Sequence, residues 1–375
     1  MKRLVIATDS FKGSLSSREV AEAFEEGFRQ HIPNCEIRIV DIADGGEGTM
    51  KTLIDSLKGE IVEVEVNDPL HRPIKVQYGI IESERTAIIE IAEASGLTLL
   101  SSEERNPMLT TTYGTGEIIA DAIKRGCRKF LIGIGGSATN DAGVGLLRAL
   151  GYRFLDCNGK ELLGGGAILE SIEEIDDSNI YDSLCECEFI VACDVKNPLY
   201  GNDGAAYVFA PQKGASREMV EHLDRGLRNF ARVVEKFNGS QIATIEGAGA
   251  AGGVGGGVVA LLNAKLVRGI DMVLEATQFE EIIQGCDLVI TGEGRIDSQT
   301  LMGKAPSGVL SLTSAQNIPT IAIGGCVEWC DELRSSRFSS IEVVTPEGMT
   351  IEEAMRPDVT KNNIRHTAER IAQRL

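Results

Sequence analysis

The run LVIATDSFKGSLSSREVAEAF, residues 4–24, decides the class of fold. Leu4-Val5-Ile6-Ala7 is a continuous apolar run of the kind that forms a fully buried strand. Ser16-Ser17-Arg18-Glu19 then offers a capping box, with Ser16 as N-cap and Glu19 reaching back. Val20, Phe24 and Phe28 recur every four residues and mark the buried stripe of a helix. A strand feeding a helix through a short loop is the repeating unit of α/β folds. That loop holds Asp9, Lys12, Gly13 and the hydroxyls of Thr8, Ser10 and Ser14. It reads either as a well-capped turn or as one wall of an anion site, because a helix N-terminus presents free N–H groups and partial positive charge. Ser16 and Glu19 account for the helix start, which leaves Asp9, Ser10 and Lys12 over for function. Lys12 is the expected anion contact, and Asp9 is expected to hold the loop's shape.

Outward from this stretch the same style recurs at both ends of the chain. Cys35 to Ala43 reads as a strand, followed by Asp44-Gly45-Gly46-Glu47-Gly48-Thr49 and a helix through Leu57. Asp287–Thr291, Pro319–Ile323 and Ile341–Val344 read as further strands, and a closing helix from Lys361 is expected to dock by Ile364, Ala368 and Ile371. The middle differs. Residues 61–91 alternate apolar and polar, with turns at Asn67-Asp68-Pro69 and Glu82-Ser83-Glu84-Arg85, the pattern of an antiparallel meander. From Gly114 the strand–helix style returns. The expected architecture is a doubly wound α/β domain built from residues 1–62 and 270–375, with a second α+β domain inserted at 63–269.

The chain has 375 residues, enough for two domains at roughly 150 residues each. Its formal charge is −19, and no basic face of the nucleic-acid-binding kind is visible. Nine cysteines are scattered without a C-x-x-C pair, and four histidines lie far apart, so neither a zinc pattern nor a disulfide framework is present. Reduced, mostly buried thiols and a cytoplasmic location are expected. The opening residues lack the form of a signal peptide, and no apolar run approaches the roughly 20 residues of a membrane helix.

Six loops could carry chemistry, several of them just after strands, where open α/β sheets bind ligands. The opening loop is the first. Asp44-Gly45-Gly46 can hold a metal or a substrate hydroxyl, or simply cap a tight turn. In IGIGGSATNDAG, residues 132–143, Gly133, Gly135 and Ala138 satisfy G-x-G-x-x-A, and Asp156 stands near the spacing of a ribose-binding acid. Taken literally this is a nicotinamide-cofactor fingerprint, but the polar Thr139-Asn140-Asp141 suits hydroxyls, metal or phosphate better. Cys193-Asp194-Val195-Lys196-Asn197-Pro198 follows another strand, with Gln212-Lys213-Gly214 downstream. The tract GAGAAGGVGGG, which includes Gly252 and Gly253, is either a phosphate cradle or a close-packing segment. In TGEGRIDSQTLMGKAPSG, residues 291–308, Gly303-Lys304 is similar to a Walker A ending, but Ser298 and Ala305 break that match. Glu293, Arg295, Asp297 and Lys304 still place two acids and two bases in what reads as one turn region.

Taken together, these blocks resemble the bacterial glycerate kinase family of the glycerate 2-kinase type. DSFKGSLSSREVA, ADGGEGT, TTYGTGE, GIGGSATNDAG, CDVKNPLYGNDGAAYVFAPQKGA, GAGAAGGVGGG and DLVITGEGRIDSQTLMGKAPSGV run nearly end to end in family order. Thr8 stands where the family commonly has Pro, and Ala142 and Ala210 where Gly is common; none of these removes a charged group. The resemblance implies a flavodoxin-like domain with an inserted second domain. It also implies ATP-dependent phosphorylation of D-glycerate with Mg²⁺, in a cleft between two domains, giving phosphoglycerate and ADP. On this reading Asp194 and Asp297 are expected as base toward the hydroxyl or as Mg²⁺ ligands. Lys12, Arg295 and Lys304 are expected on the phosphates or the glycerate carboxylate. Ser10, Asp44, Gly45, Gly46, Asn140, Asp141, Gly252 and Gly253 complete the candidate binding set. The alternatives are an NAD-dependent hydroxy-acid oxidoreductase, a sugar-acid sensor, and a kinase of another small hydroxy acid.

Overall fold

The structure, a computed structural model, describes residues 2–43 and 48–375. The chain falls into two compact units: one comprises Met1–Asp44, Asp55–Leu57 and Ile270–Leu375, the other Gly45–Ile54 and Lys58–Gly269. In chain order the strands are β1 (Arg3–Thr8), β2 (Glu36–Ile39), β3 (Glu60–Asn67), β4 (Pro73–Ile81), β5 (Thr86–Glu90), β6 (Lys129–Gly133) and β7 (Arg153–Leu155). They continue with β8 (Glu174–Asp176), β9 (Glu188–Ala192), β10 (Lys265–Val267), β11 (Leu288–Ile296), β12 (Thr320–Val327) and β13 (Ser340–Val343).

The first unit is a five-stranded sheet in the order β13-β12-β11-β1-β2, parallel throughout. Numbered along this unit alone, the order is 2-1-3-4-5, a common doubly wound arrangement. Leu4 and Ile6 of β1, with Leu288, Ile290, Ile321 and Ile323, present one face of the sheet to the helices Ser17–Arg29 and Pro357–Ala372. The first of these helices buries Val20, Phe24 and Phe28 completely, and starts in the capping box of Ser16 and Glu19. The second docks by Ile364, Ala368 and Ile371. The two helices approach so closely at Gly27 that a Cβ there would lie 2.3 Å from the Arg365 carbonyl oxygen.

The second unit is a mixed sheet, β10-β9-β6-β5-β4-β3. The meander is present as β3, β4 and β5, antiparallel in turn. However, β5 goes on to pair in parallel with β6, and β6 with β9. Phe130 and Phe189 stack between those two strands at 4.8 Å. The residues after β6 lead into a helix and then β7, which pairs with β8 in a separate two-stranded ribbon. A dinucleotide fold would return that strand to the main sheet. Asp156 instead closes its own turn, accepting the N–H groups of Asn158 and Lys160 at 2.8 and 2.9 Å. The nicotinamide fingerprint therefore lacks its structural context.

Two more expectations are corrected. The strand expected at Asp287–Thr291 does not stop there: β11 runs on through Glu293 and Arg295, pairing them with Gly324 and Cys326, so these two do not stand in a turn region. The cysteines are all free, but only Cys35, Cys127 and Cys286 are buried. No described helix is long and apolar enough to cross a membrane.

Candidate functional site

In the first unit, the sheet order changes direction between β1 and β11, and ligands of open α/β sheets bind outside the strand ends at such a point. A cavity of about 530 Å³ lies there, lined by the loop after β1, the end of β11 and the start of the helix Ala305–Ala315. It brings Ser10, Lys12, Arg295 and Lys304 together with Asp9 and Glu293, all of them residues of loops the sequence singles out. The loop after β1 is tied by its own hydrogen bonds. Phe11 and Leu15 exchange backbone hydrogen bonds at 2.9 and 3.0 Å, Ser17 donates its hydroxyl to the Thr8 carbonyl at 2.6 Å, and Asp9 accepts the Ser10 N–H at 2.6 Å.

Glu293 and Arg295 share one face of β11 because side chains alternate along a strand. Glu293 is buried. Its carboxylate accepts the Thr300 hydroxyl at 2.6 Å and lies 3.5 Å from the Lys304 ammonium. Burial pushes its carboxyl up, against the pull of Thr300 and Lys304. Arg295 pairs with Glu328 and lies 3.4 Å from Asp297. Lys304 stands at the N-cap of the helix Ala305–Ala315, where free N–H groups favour anions. Asp297 does not line the cavity. It caps its own turn, accepting the Gln299 N–H at 2.9 Å, while its N–H donates to the Thr300 hydroxyl at 3.0 Å.

The second unit has its own cavity of about 450 Å³, at the ends of the neighbouring strands β6 and β9. Asp194 lines it and accepts the Gly269 N–H at 2.9 Å. Gly135, Gly136 and Ser137 form another wall. Asn140 and Asp141 are buried behind them. Asp141 accepts from the Thr112 N–H and hydroxyl at 2.8 and 2.9 Å, and from the Gly143 and Gly145 N–H groups at 3.1 and 3.2 Å. The Thr111 hydroxyl adds a longer contact at 3.4 Å. That carboxylate ties the loop to the start of the helix Tyr113–Lys124. Both amide atoms of Asn140 are buried without a partner.

The glycine tract is mostly helix, Ala250–Leu262, kinked through left-handed residues at Ala251, Gly252 and Gly253. Gly252 has φ +71, and a Cβ there would lie 2.1 Å from the Thr139 carbonyl oxygen. Gly252 and Gly253 thus let the tract press on the loop after β6, while Ala250 and Ala251 face the cavity. Asp44, Gly45 and Gly46 lie outside the described residues. The structure adds one further lysine: Lys213 lines the second cavity although almost wholly buried. Its signal in the sequence was its place in Gln212-Lys213-Gly214; nothing there announced its burial.

The model of the glycerate kinase family matches residues 4–375. A relative named glycerate kinase from Bacillus subtilis is 49% identical over 87% of this chain and 85% of its own length. One named glycerate 2-kinase from Escherichia coli is 46% identical over 86% of this chain and 85% of its own. A crystal structure from Salmonella typhimurium LT2, described as a glycerate kinase 2, superposes with a TM-score of 0.90 at 42% identity, covering 100% of this chain and 98% of that one.

Proposed function

The chain belongs to the glycerate kinase family, and on that premise we propose that it transfers the γ-phosphoryl group of ATP to the 2-hydroxyl of D-glycerate with Mg²⁺. The observation that carries this reading is the convergence of Lys12, Arg295 and Lys304 on one cavity at the reversal point of a parallel sheet. Phosphoryl transfer asks mainly for positioning and for neutralising charge on the transferring group. Two lysines, an arginine and a helix N-terminus supply that against an otherwise acidic protein. Ser10 adds a hydroxyl to the same wall.

Among the described residues, no three His, Cys, Asp or Glu side chains gather as a metal cage. That fits Mg²⁺, which usually takes one or two carboxylates and completes its shell with waters and substrate phosphates. Asp194, an acid in a cavity wall, suits this role or that of base toward the hydroxyl proton; Asp297, with its carboxylate engaged by its own turn, is the second choice. Bound to the phosphates, Mg²⁺ supplies charge neutralisation.

ADP release measured with ATP, Mg²⁺ and a panel of small hydroxy acids tests the reading. D-Glycerate is expected as the preferred acceptor, with 2-phosphoglycerate identified by phosphorus NMR. Lys12→Ala and Asp194→Asn are each expected to lower kcat by about 10²–10³-fold with the fold retained. Near-normal turnover in both variants would sink the residue assignment, and absence of ADP release with D-glycerate would sink the reaction.

A further inference from the structure

We infer that Lys213 is an oxyanion-binding residue of the second unit's cavity, its ammonium receiving either the carboxylate of the hydroxy acid or a phosphate group. The inference deepens the kinase reading and rests on it. Lys213 is 3% exposed, yet it belongs to the cavity wall. Its Nζ donates to the Ser137 hydroxyl at 2.8 Å and to the Thr139 carbonyl at 2.7 Å. Both partners are neutral, and an ammonium has three donors.

The charged groups packed around it do not close the account. Asp141, from the loop after β6, attracts it electrostatically, but that carboxylate already accepts from the Thr111, Thr112, Gly143 and Gly145 donors. Asp194 and Cys193, from the loop after β9, share the cavity wall. Arg105 packs its backbone against Gly214. A buried cation without a bonded anion is expensive. Burial accordingly pushes the Lys213 ammonium down to about 7.

The loop that Lys213 grips points the same way. The Thr139 hydroxyl and both amide atoms of Asn140 are buried with no hydrogen-bond partner, a rarity in native interiors. Gly135 and Gly136 leave the cavity wall beside Ser137 as bare backbone. A lysine kept only to brace this loop would, on replacement by an uncharged residue of similar volume, cost stability and leave substrate binding unchanged. One kept for an anion would, on the same replacement, weaken binding instead.

The test uses Lys213→Met and Lys213→Gln in the full chain, with D-glycerate and ATP varied separately and thermal unfolding followed without ligand. KM for one substrate is expected to rise about tenfold to a hundredfold, the scale of a lost charge-assisted hydrogen bond, with the smaller change in kcat. Unliganded Lys213→Met is expected to unfold at or above the wild-type temperature. A rise confined to D-glycerate identifies the carboxylate as the bound group, and a rise confined to ATP identifies a phosphate. Unchanged KM values with lower unfolding temperatures would make Lys213 a structural brace and overturn the inference. The unaltered protein decides the matter if neither variant folds. Calorimetric titration with D-glycerate and with inorganic phosphate at pH 8, in two buffers of different protonation heat, is expected to show proton uptake with at least one probe, since an oxyanion restores the ammonium's charge. No heat of binding with either probe overturns the inference. Uptake in a chain that releases no ADP with D-glycerate would sink the kinase reading and leave the oxyanion site standing.

Discussion

At the scale of single residues, local pattern and burial part company. Ser10, Lys12, Arg295 and Lys304 were legible because each stands in a glycine-bearing loop or strand end beside other polar groups, and they do converge on one cavity. Asp141 was legible as important but not in kind, since five donors gather on its carboxylate from segments some 30 residues apart in sequence. Lys213 was legible only as part of Gln212-Lys213-Gly214; its burial was not, because a lysine ordinarily faces water and only packing from other elements dries it. Its burial has a pH signature. The folded-state value lies near 7, below the ordinary 10.5, so the unfolded chain binds more protons between those values. The resulting penalty is full below about pH 7 and fades as pH rises toward 10.5. Lys213→Met is therefore expected to be more stable than wild type at pH 6 to 7, with the gap closing toward pH 10, as read by urea denaturation across pH. A gap independent of pH would contradict this.

At the scale of elements, helix starts were the most readable features and strand ends the least. Ser16 and Glu19 form the reciprocal cap that their spacing announces. Ser16→Ala is expected to cost about 1 kcal/mol in denaturant unfolding with little effect on kcat, since the cap lies outside the set of residues converging on the cavity. An unchanged midpoint would show that packing against the helix Pro357–Ala372 alone holds this helix. The stretch from Glu293 to Ile296 reads as part of a turn region, yet it is strand, because β12 supplies a parallel partner along it. That extension is what lines up Glu293 and Arg295 on one face. The glycine tract was left between cradle and packing segment, and its left-handed residues pressed against Thr139 show the packing component directly.

At the scale of the whole molecule, each unit carries its own apolar cluster, one built on β1, β11 and β12, the other on β5, β6 and β9. Chains of this kind commonly depart from a single two-state transition. The one tryptophan, Trp329, belongs to the first unit. Its fluorescence therefore reports that unit, while far-ultraviolet circular dichroism reports both. In urea the two signals are expected to show different midpoints, and superimposable curves would mean that the units unfold together.

The alternation of apolar runs, caps and glycine loops determined by itself that this is an α/β chain with its first and last segments in one style and a different middle. Such signals are local, set by the periods of strand and helix, and they survive without knowledge of partners. Strand pairing, burial and the meeting of distant side chains were decided only in three dimensions. They depend on which surfaces pack together, and that is a property of the whole chain. The opening loop shows both halves of the division: its helix cap was written in four consecutive residues, whereas its place beside Glu293, Arg295 and Lys304 required β1 and β11 to lie side by side.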